Sequence, residues 1–287
     1  MLTLRAYAKV NLVLEVLGRR EDGYHEIASI MQTIGFHDVL TFEAANEIEF
    51  FCSVPGLQAN DNLVVKATHA LRQATGSKMG ARIALEKEIP VAAGLGGGSS
   101  DAAAVLQGLN RLWGLGLAVE KLAEIGAGVG SDVPFFIYGG TCLAQGRGEK
   151  ITPLPDIASA WFVLLKPVIA VPANKTAVLY GMLKPWHYSG GSQAAAAVEL
   201  LKTGRTRVGM FYNTFDSLAE VAYRGLKRYR EAMEKAGAGE IHLSGSGPYL
   251  FSIFDSRQAA LDVQQKLSLV KMDATLVQSV TRDEAGN

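Results

Sequence analysis

One stretch of the sequence decides the fold of this chain: Pro90-Val91-Ala92-Ala93-Gly94-Leu95-Gly96-Gly97-Gly98-Ser99-Ser100-Asp101. It follows a predicted strand over residues 81–85 and leads into an apolar run over residues 102–112 that has the spacing of a helix. Because glycine lacks a Cβ atom, successive backbone N–H groups can turn into one concavity, where the positive end of the following helix also attracts an anion. We therefore predict a phosphate-binding loop, with a glycine-rich turn before a well-capped helix as the alternative.

The loop fits neither of two well-known phosphate motifs. A Walker A loop requires Gly-Lys-Ser/Thr, whereas this chain has Gly98-Ser99-Ser100 and no lysine. A dinucleotide fingerprint requires a third glycine or an alanine where Ser99 stands, which counts against a nicotinamide-dependent oxidoreductase. The side chains of Ser99, Ser100 and Asp101 fall in the predicted first helical turn, where they can cap free amides or reach a phosphate-bound metal. The sequence thus predicts a phosphate loop of another kind.

Composition limits the class of protein. The chain has 287 residues, enough for about two domains, and its 28 basic and 28 acidic residues cancel. That balance counts against a nucleic-acid partner and against a polybasic membrane surface. Early charged residues and the lack of a long apolar stretch predict no signal peptide and no membrane span. Cys52 and Cys142 have no metal-ligand spacing, so we expect two reduced thiols in a cytoplasmic protein.

Hydrophobic patterns predict a mixed order of strands over 2–17, 27–51 and 160–171 and helices over 63–75 and 215–236. Within the second strand region, His37-Asp38 predicts a turn. Asn60-Asp61-Asn62 predicts the start of the first of these helices. The Gly- and Pro-containing segment 145–155 is the best candidate for a domain boundary.

Four polar features stand out from these elements. Lys9 interrupts the first strand, and it either faces outward as an ordinary strand lysine or points into a site. Asp132 lies between a glycine-rich turn and a very apolar segment, where a carboxylate either caps a helix or serves as an acid or base at the edge of a dry pocket. Tyr24-His25 is a ring pair on a polar loop, where either a binding role or a structural one is possible. Residues 243–247 form a second Gly/Ser-rich loop, which by itself also fits a tight hairpin.

Together, these motifs resemble the GHMP kinase superfamily, small-molecule kinases named after galactose, homoserine, mevalonate and phosphomevalonate. The resemblance spans nearly the whole chain and rests on Lys9-Val10-Asn11-Leu12, Asp22-Gly23-Tyr24-His25, Gly94-Leu95-Gly96-Gly97-Gly98-Ser99-Ser100-Asp101-Ala102-Ala103, Gly130-Ser131-Asp132-Val133-Pro134 and Leu243-Ser244-Gly245-Ser246-Gly247. It implies an α+β, two-domain GHMP kinase fold. The N-terminal ATP-binding domain, residues 1–152, would be ribosomal-protein-S5-like, and the C-terminal domain, residues 153–287, would be a ferredoxin-like α/β sandwich.

Within that superfamily the match is closest to the kinases that use ATP to phosphorylate the 2-hydroxyl of 4-diphosphocytidyl-2-C-methyl-D-erythritol in non-mevalonate isoprenoid biosynthesis. By this resemblance, Asp132 is the catalytic base and Lys9 lies beside it. The residues implied in ATP binding are Asn62, Pro90, Gly94, Leu95, Gly96, Gly97, Gly98, Ser99, Ser100 and Gly245, with Ser99 and Ser100 near a Mg²⁺ ion. Those implied in substrate binding are Asn11, Tyr24, His25 and Tyr180, with His25 bonded to the cytosine.

One position departs from the pattern of that group. Met31 stands where a second aromatic commonly stacks on the cytosine, and Tyr180 is the candidate for the other face. Other functions stay open: a kinase for mevalonate, homoserine or a sugar, which the Tyr-His pair disfavours, and a catalytically silent binding protein, which Lys9 and Asp132 disfavour. We expect a monomer or weak homodimer whose partners are ATP and the small-molecule substrate.

Overall fold

The computed structural model describes residues 1–57, 62–172, 174–204 and 211–286 of the chain. The strands are β1 (Leu2–Arg19), β2 (His25–Ala45), β3 (Ile48–Cys52), β4 (Gly80–Glu86), β5 (Thr141–Gly146), β6 (Lys150–Pro153), β7 (Trp161–Lys166), β8 (Tyr212–Asn213), β9 (His242–Leu243), β10 (Leu250–Phe254) and β11 (Asp273–Gln278). The helices are α1 (Leu63–Thr75), α2 (Gly97–Leu112), α3 (Val119–Val129), α4 (Val133–Tyr138), α5 (Lys175–Met182), α6 (Ser192–Lys202), α7 (Asp216–Ala222), α8 (Lys227–Ala236), α9 (Arg257–Leu269) and α10 (Arg282–Ala285).

The larger sheet has the strand order β3-β4-β2-β1-β8, and β5 pairs with both β2 and β6. β1 and β2 are long and antiparallel, and their register runs from Leu2 opposite Phe42 to Arg19 opposite His25. Alternating apolar residues place one face of this sheet against α1, α2 and α3 in a common core. The packing is so close that a Cβ atom on Gly108 of α2 would lie 2.6 Å from the Phe42 ring. The glycine loop therefore leads into a helix pressed against the centre of the sheet.

The smaller sheet has the order β11-β7-β10-β9, and its pairings are antiparallel. α8 and α9 share a core with it that includes Leu165, Met233 and Val263. The two sheets are also tied together, because β8 from the second half of the chain pairs in parallel with β1. This order of helices and sheets confirms the predicted α+β class. The division into residues 1–152 and 153–287 stays a proposal; its division point lies at the end of β6.

The predicted turn at His37-Asp38 is wrong, because β2 continues through both residues. A register shift after Tyr7 of β1 kinks the pair of strands without separating them. Asp38 is buried, and its carboxylate accepts the backbone N–H groups of Glu88 at 2.6 Å and Ile89 at 2.7 Å. An aspartate that has the character of a turn former in the sequence therefore fixes the segment that leads into the glycine loop.

Two predicted elements of the second half are shorter than expected. The helix predicted over 215–236 is two helices, because the chain leaves α7 at Ala222 and Gly225 adopts a left-handed φ of +94° before α8 begins. The strand predicted over 160–171 ends at Lys166. Among the described residues, no helix combines the length and the apolar character needed to cross a membrane.

A buried ion triad lies directly behind the glycine loop. The Lys87 ammonium, just after β4, is 2.9 Å from the Asp101 carboxylate of α2 and also bonds the Asp38 carboxylate of β2. All three side chains are at most 6% exposed. Burial lowers the pKa of Lys87, but the two carboxylates more than offset this and hold the pKa above its ordinary value. Asp101, predicted to cap amides or reach a metal, instead ties the start of α2 to two strands.

We expect Lys87→Met to lower the free energy of unfolding by about 3–5 kcal/mol, because it leaves the carboxylates of Asp38 and Asp101 buried together without a cation. Equilibrium unfolding in urea measures the change. The control is Lys121→Met, which removes an exposed lysine paired with Glu124 and should cost about 1 kcal/mol or less. Equal losses in the two variants would contradict a structural role for the triad.

Candidate functional site

The glycine loop connects β4 to α2 through a backbone that non-glycine residues rarely adopt. Gly94 and Gly96 have left-handed φ angles of +86° and +75°. A Cβ atom on Gly94 would lie 2.1 Å from the Ser244 carbonyl oxygen, and one on Gly96 would lie 2.5 Å from the Phe136 ring. Because the first amides of an α-helix have no partner within it, the loop and α2 present N–H groups and a positive helix end to the same space.

The second Gly/Ser loop is the turn of the hairpin between β9 and β10, and it packs on the glycine loop. Ser244 Oγ donates to the Gly94 carbonyl at 3.0 Å. Asn213 of β8 holds the turn from the other side, because its Nδ2 donates to the carbonyls of Leu243 and Gly245, each at 2.9 Å. The loop is therefore a hairpin turn, and it also borders the site.

Lys9 and Asp132 lie together beside the glycine loop. The Lys9 side chain is 5% exposed, so it does not face solvent, and its Nζ lies 3.8 Å from Asp132 Oδ2. Nζ also donates to Asn11 Oδ1 at 2.5 Å, and Asn11 Nδ2 donates to Ser29 Oγ at 2.7 Å. Burial lowers the pKa of Lys9, and the Asp132 carboxylate opposes that shift. Asp132 occupies the N-cap position of α4 and lies in the turn before it, as the structural alternative predicts, but its side chain makes no capping bond.

The two serines predicted near a metal differ in their surroundings. Ser100 is buried, and its hydroxyl donates to the Tyr7 carbonyl of β1 at 2.6 Å, so it braces α2 against the sheet. Ser99 is half-buried and lies beside the turn that precedes Asp132, since a Cβ atom on Gly130 would be 3.8 Å from Ser99 Oγ. Ser100 thus has a structural contact, and the contact of either serine with a metal stays a prediction.

Asn62, predicted near the nucleotide base, is the N-cap of α1. Its Oδ1 accepts the Val64 N–H at 2.9 Å, and its Nδ2 donates to the Leu57 carbonyl at 2.6 Å. Asn60 and Asp61, predicted with it to begin this helix, lie outside the described residues. The side chain is thus engaged in holding the helix, and its contact with a base stays a prediction.

Three aromatic rings gather where β2 begins. The His25 ring centroid lies 4.8 Å from that of Tyr180 and 6.1 Å from that of Tyr188, whose hydroxyl is 3.5 Å from His25 Nε2. Burial, followed by the charge of Arg19, lowers the pKa of His25, so the imidazole is mostly neutral at pH 7. Burial and then the Asp132 carboxylate raise the pKa of Tyr180. The influence of Asp132 on Tyr180 connects this aromatic cluster to the Lys9 and Asp132 pair.

Tyr24 lies at the open side of the cluster and is 54% exposed. The Arg147 guanidinium is 4.9 Å from the centroid of its ring, a cation–π arrangement. Gly148, the next residue, lies beside the carboxylate, since a Cβ atom there would be 3.7 Å from Asp132 Oδ1. The turn between β5 and β6 therefore joins Tyr24 to Asp132.

Sequence reasoning missed three residues of this region: Tyr188, Arg147 and Lys175. Lys175 is the first residue of α5, is 7% exposed, and donates from Nζ to Ser246 Oγ at 2.8 Å and to the Gly247 carbonyl. No local signal marks Lys175 or Tyr188, because both reach the site through contacts with distant segments. Arg147 could have been found from its position between two glycines in a short polar turn.

The expectation that Met31 stands in for a cytosine-stacking aromatic is wrong. Met31 is 2% exposed and packs in the core with Phe135 and Cys142. The second aromatic beside His25 is Tyr188, which comes from a segment far away in the sequence. The cluster therefore places two tyrosine rings beside His25 without a contribution from position 31.

Comparison with known proteins finds two family models in the chain. The model described as GHMP kinases N terminal domain matches residues 62–140, and the model described as GHMP kinases C terminal matches residues 197–270. A 4-diphosphocytidyl-2-C-methyl-D-erythritol kinase of Dehalococcoides mccartyi is 42% identical over 280 residues, which cover 98% of this chain and 99% of the relative. One of Alkaliphilus metalliredigens is 37% identical over 284 residues, covering 97% of each chain.

Solved structures with the same architecture include a crystal structure of 4-(cytidine 5'-diphospho)-2C-methyl-D-erythritol kinase. It matches with a TM-score of 0.82 and 32% identity, covering 97% of this chain and 99% of that one. A homoserine kinase from Cytophaga hutchinsonii matches with a TM-score of 0.73 and 17% identity, covering 97% and 95%. At that identity, the second similarity shows the fold alone.

We expect Gly94→Ala to cost about 1–3 kcal/mol of stability from its backbone angle alone, and to weaken ATP binding because the new methyl group would push the loop away from Ser244. Thermal unfolding and equilibrium titration with a non-hydrolysable ATP analogue measure the two effects. Gly128→Ala is the matched control, since a Cβ atom there would have nothing within 4 Å and its φ is not left-handed. Normal nucleotide binding by Gly94→Ala would contradict the assignment of the loop.

Proposed function

The chain belongs to the GHMP kinase family, and we propose that it transfers the terminal phosphoryl group of ATP to the 2-hydroxyl of 4-diphosphocytidyl-2-C-methyl-D-erythritol. The observation that carries this proposal is the buried Lys9 ammonium 3.8 Å from the Asp132 carboxylate, beside the glycine loop. Phosphoryl transfer to an alcohol needs accurate placement and neutralised charge more than covalent help. A cation, a carboxylate and a row of amides in one place supply both requirements.

The proposed nucleotide site is the glycine loop, with ATP as the co-substrate of the family. The backbone of the loop is held in place by a hydrogen bond from the backbone N–H of Lys9 to the Leu95 carbonyl at 3.0 Å. The amides at the start of α2 would then bond the phosphate oxygens, and the helix dipole would add to the attraction. The remaining residues proposed to border the nucleotide are Asn62, Pro90, Gly97, Gly98 and Gly245.

Mg²⁺ fits the oxygen donors beside the loop. The Ser99 hydroxyl and the Asp132 carboxylate are hard donors of the kind that, together with phosphate oxygens, hold this ion in kinases. When bound, the ion would neutralise charge on the phosphates. The described part of the chain has no group of three or more His, Cys, Asp and Glu side chains arranged to hold a metal, so phosphate oxygens would supply most of the coordination.

In the proposed reaction, the acceptor hydroxyl oxygen forms a bond to the terminal phosphorus while the bond from phosphorus to the ADP oxygen breaks. Asp132 takes the hydroxyl proton. Because a carboxylate is a weak base toward an alcohol, the proton moves late, and orienting the hydroxyl is the larger part of its role. The Lys9 ammonium, 3.8 Å from Asp132 Oδ2, attracts the phosphate. Asn11, predicted to bind substrate, already bonds the Lys9 ammonium, so we propose that it also positions Lys9.

The proposed acceptor pocket is the aromatic cluster of His25, Tyr180 and Tyr188. A neutral imidazole can both donate and accept, which suits the amide edge of a cytosine, and flanking rings provide faces for stacking. Tyr24, held under Arg147, borders the open side. The Asp132 carboxylate contributes to the raised pKa of Tyr180, so we propose that a ligand bound in the cluster extends toward Asp132.

The cellular compartment, the oligomeric state and the partners of the enzyme stay predictions. Cys52 and Cys142 are both buried and outside any disulfide, and burial raises the pKa of Cys142 to about 11, which keeps its thiol protonated. Reduced thiols of this kind support the inference of a cytoplasmic enzyme. A monomer or weak homodimer that binds small molecules rather than nucleic acid or membrane is proposed on the balanced charge of the chain.

The purified wild-type protein, supplied with ATP and Mg²⁺, should phosphorylate 4-diphosphocytidyl-2-C-methyl-D-erythritol, with mevalonate and homoserine as control acceptors. ADP release and ³¹P NMR of the product measure the transfer. We expect a preference in kcat/KM of roughly 10⁴-fold, because a pocket built to bond a base leaves polar groups unpaired when the base is missing. Faster transfer to mevalonate or homoserine would overturn the proposed acceptor.

We expect Asp132→Ala to abolish turnover while leaving ATP binding intact, because the carboxylate acts on the acceptor hydroxyl. Lys9→Ala should slow turnover about tenfold or more, since it removes charge that stabilises the transferred group. Steady-state kinetics and nucleotide titration separate the two effects. Asp262→Ala, an exposed carboxylate on α9, serves as the control. Near-normal turnover in Asp132→Ala would remove Asp132 as the base.

A further inference from the structure

Lys175 is a buried lysine that the reaction described so far does not use. It begins α5 and reaches the hairpin turn, where its Nζ donates to Ser246 Oγ at 2.8 Å and to the Gly247 carbonyl. The residue is 7% exposed, which is unusual for a lysine unless it is paired with an anion or used by a site. Both of its bonding partners are neutral, so neither provides a counter-charge.

The charges around Lys175 do not balance. Burial and then the Lys9 ammonium lower the pKa of Lys175 to about 8, against the opposing effect of the Asp132 carboxylate. Two buried ammonium groups therefore share one carboxylate, Asp132, whose side chain is 37% exposed. A buried excess of positive charge is costly unless an anion completes the group. The site thus has one more positive than negative charge, which favours the binding of an anion.

The position of the excess charge indicates which anion completes it. The hairpin turn separates the two lysines: Lys9 Nζ lies 3.0 Å from where a Cβ atom on Gly245 would be, whereas Lys175 bonds the next two residues. The same turn touches the glycine loop, since a Cβ atom on Gly94 would lie 3.0 Å from the nitrogen and oxygen of Gly247. A phosphate held at the glycine loop would therefore lie beside the turn that both ammonium groups contact.

We propose that Lys175 is a second cationic ligand of the phosphoryl group in transit, on the hairpin side of the site and opposite Lys9. The proposal rests on the proposed kinase function. As the phosphorus exchanges its bond to the ADP oxygen for a bond to the acceptor oxygen and Asp132 takes the proton, negative charge is spread over the three remaining phosphoryl oxygens. Lys9 and Lys175 then stabilise that charge from two sides, in a site where few water molecules compete for it.

The test compares a nucleotide that has a terminal phosphoryl group with one that lacks it. In Lys175→Met, which keeps an unbranched side chain one atom shorter and removes the charge, we expect the affinity for the non-hydrolysable analogue AMPPNP to fall about tenfold or more. The affinity for ADP should change by less than about threefold, and kcat should fall about 10²-fold. Lys175→Arg should restore part of the AMPPNP affinity. Lys202→Met, an exposed lysine on α6 paired with Glu199, is the control.

Other results would overturn the assignment. Equal losses of affinity for AMPPNP and ADP, with lower stability in urea, would show that Lys175 only supports the hairpin. A loss confined to the KM of the acceptor would assign Lys175 to the acceptor's diphosphate. If Lys175→Met does not fold, NMR of the wild-type protein with ¹³C-methylated lysines provides a second test. The Lys175 signal should shift when AMPPNP binds and should not shift when ADP binds. Neither nucleotide comparison uses an acceptor, so failure of the proposed acceptor would leave the result interpretable.

Discussion

The backbone of Gly94 runs so close to the Ser244 carbonyl oxygen that one added carbon atom would lie 2.1 Å from it. This contact joins the glycine loop of the larger sheet to the hairpin turn of the smaller sheet, and the hydrogen bond from Ser244 Oγ to the Gly94 carbonyl fixes the same pair at 3.0 Å. Because the two loops meet there, Lys9 from β1 and Lys175 from α5 both contact one turn beside the glycine loop. The arrangement of charges in the site therefore depends on the absence of a single Cβ atom.

Two groups of charged side chains lie on the two sides of the glycine loop. They differ in whether positive charge is in excess over negative charge. Behind the loop, Lys87 is paired with the carboxylates of Asp38 and Asp101, and burial raises the pKa of Asp101, so this set carries no excess of positive charge. In front of it, Lys9 and Lys175 share Asp132, and positive charge is in excess. The rear set can hold α2 in place without repelling an anion, while the front set attracts one.

The sequence was informative wherever function needs consecutive residues. The glycine loop, Lys9 and Asp132 could be singled out because their chemistry is visible within a few positions, and the structure brings them together. Lys175 was not found, because its bonds to residues 246 and 247 depend on how two segments fold against each other. The wrong turn at Asp38 has the same cause: its carboxylate serves amides about fifty positions away, which local turn propensity cannot reveal.

The structural match with a homoserine kinase at 17% identity shows that this fold also occurs in a protein named for another acceptor. The choice of acceptor must then be made by parts that can differ without moving the phosphate site. In this chain those parts are connections: Tyr24 lies between β1 and β2, Arg147 lies between β5 and β6, and Tyr188 follows α5. Connections tolerate substitution better than the elements they join. Lys9, in contrast, is fixed in the long strand β1, where a register shift would move it out of the site. The proposed acceptor contacts therefore lie on connections and the proposed phosphate contact lies on a long strand, so the two can vary separately.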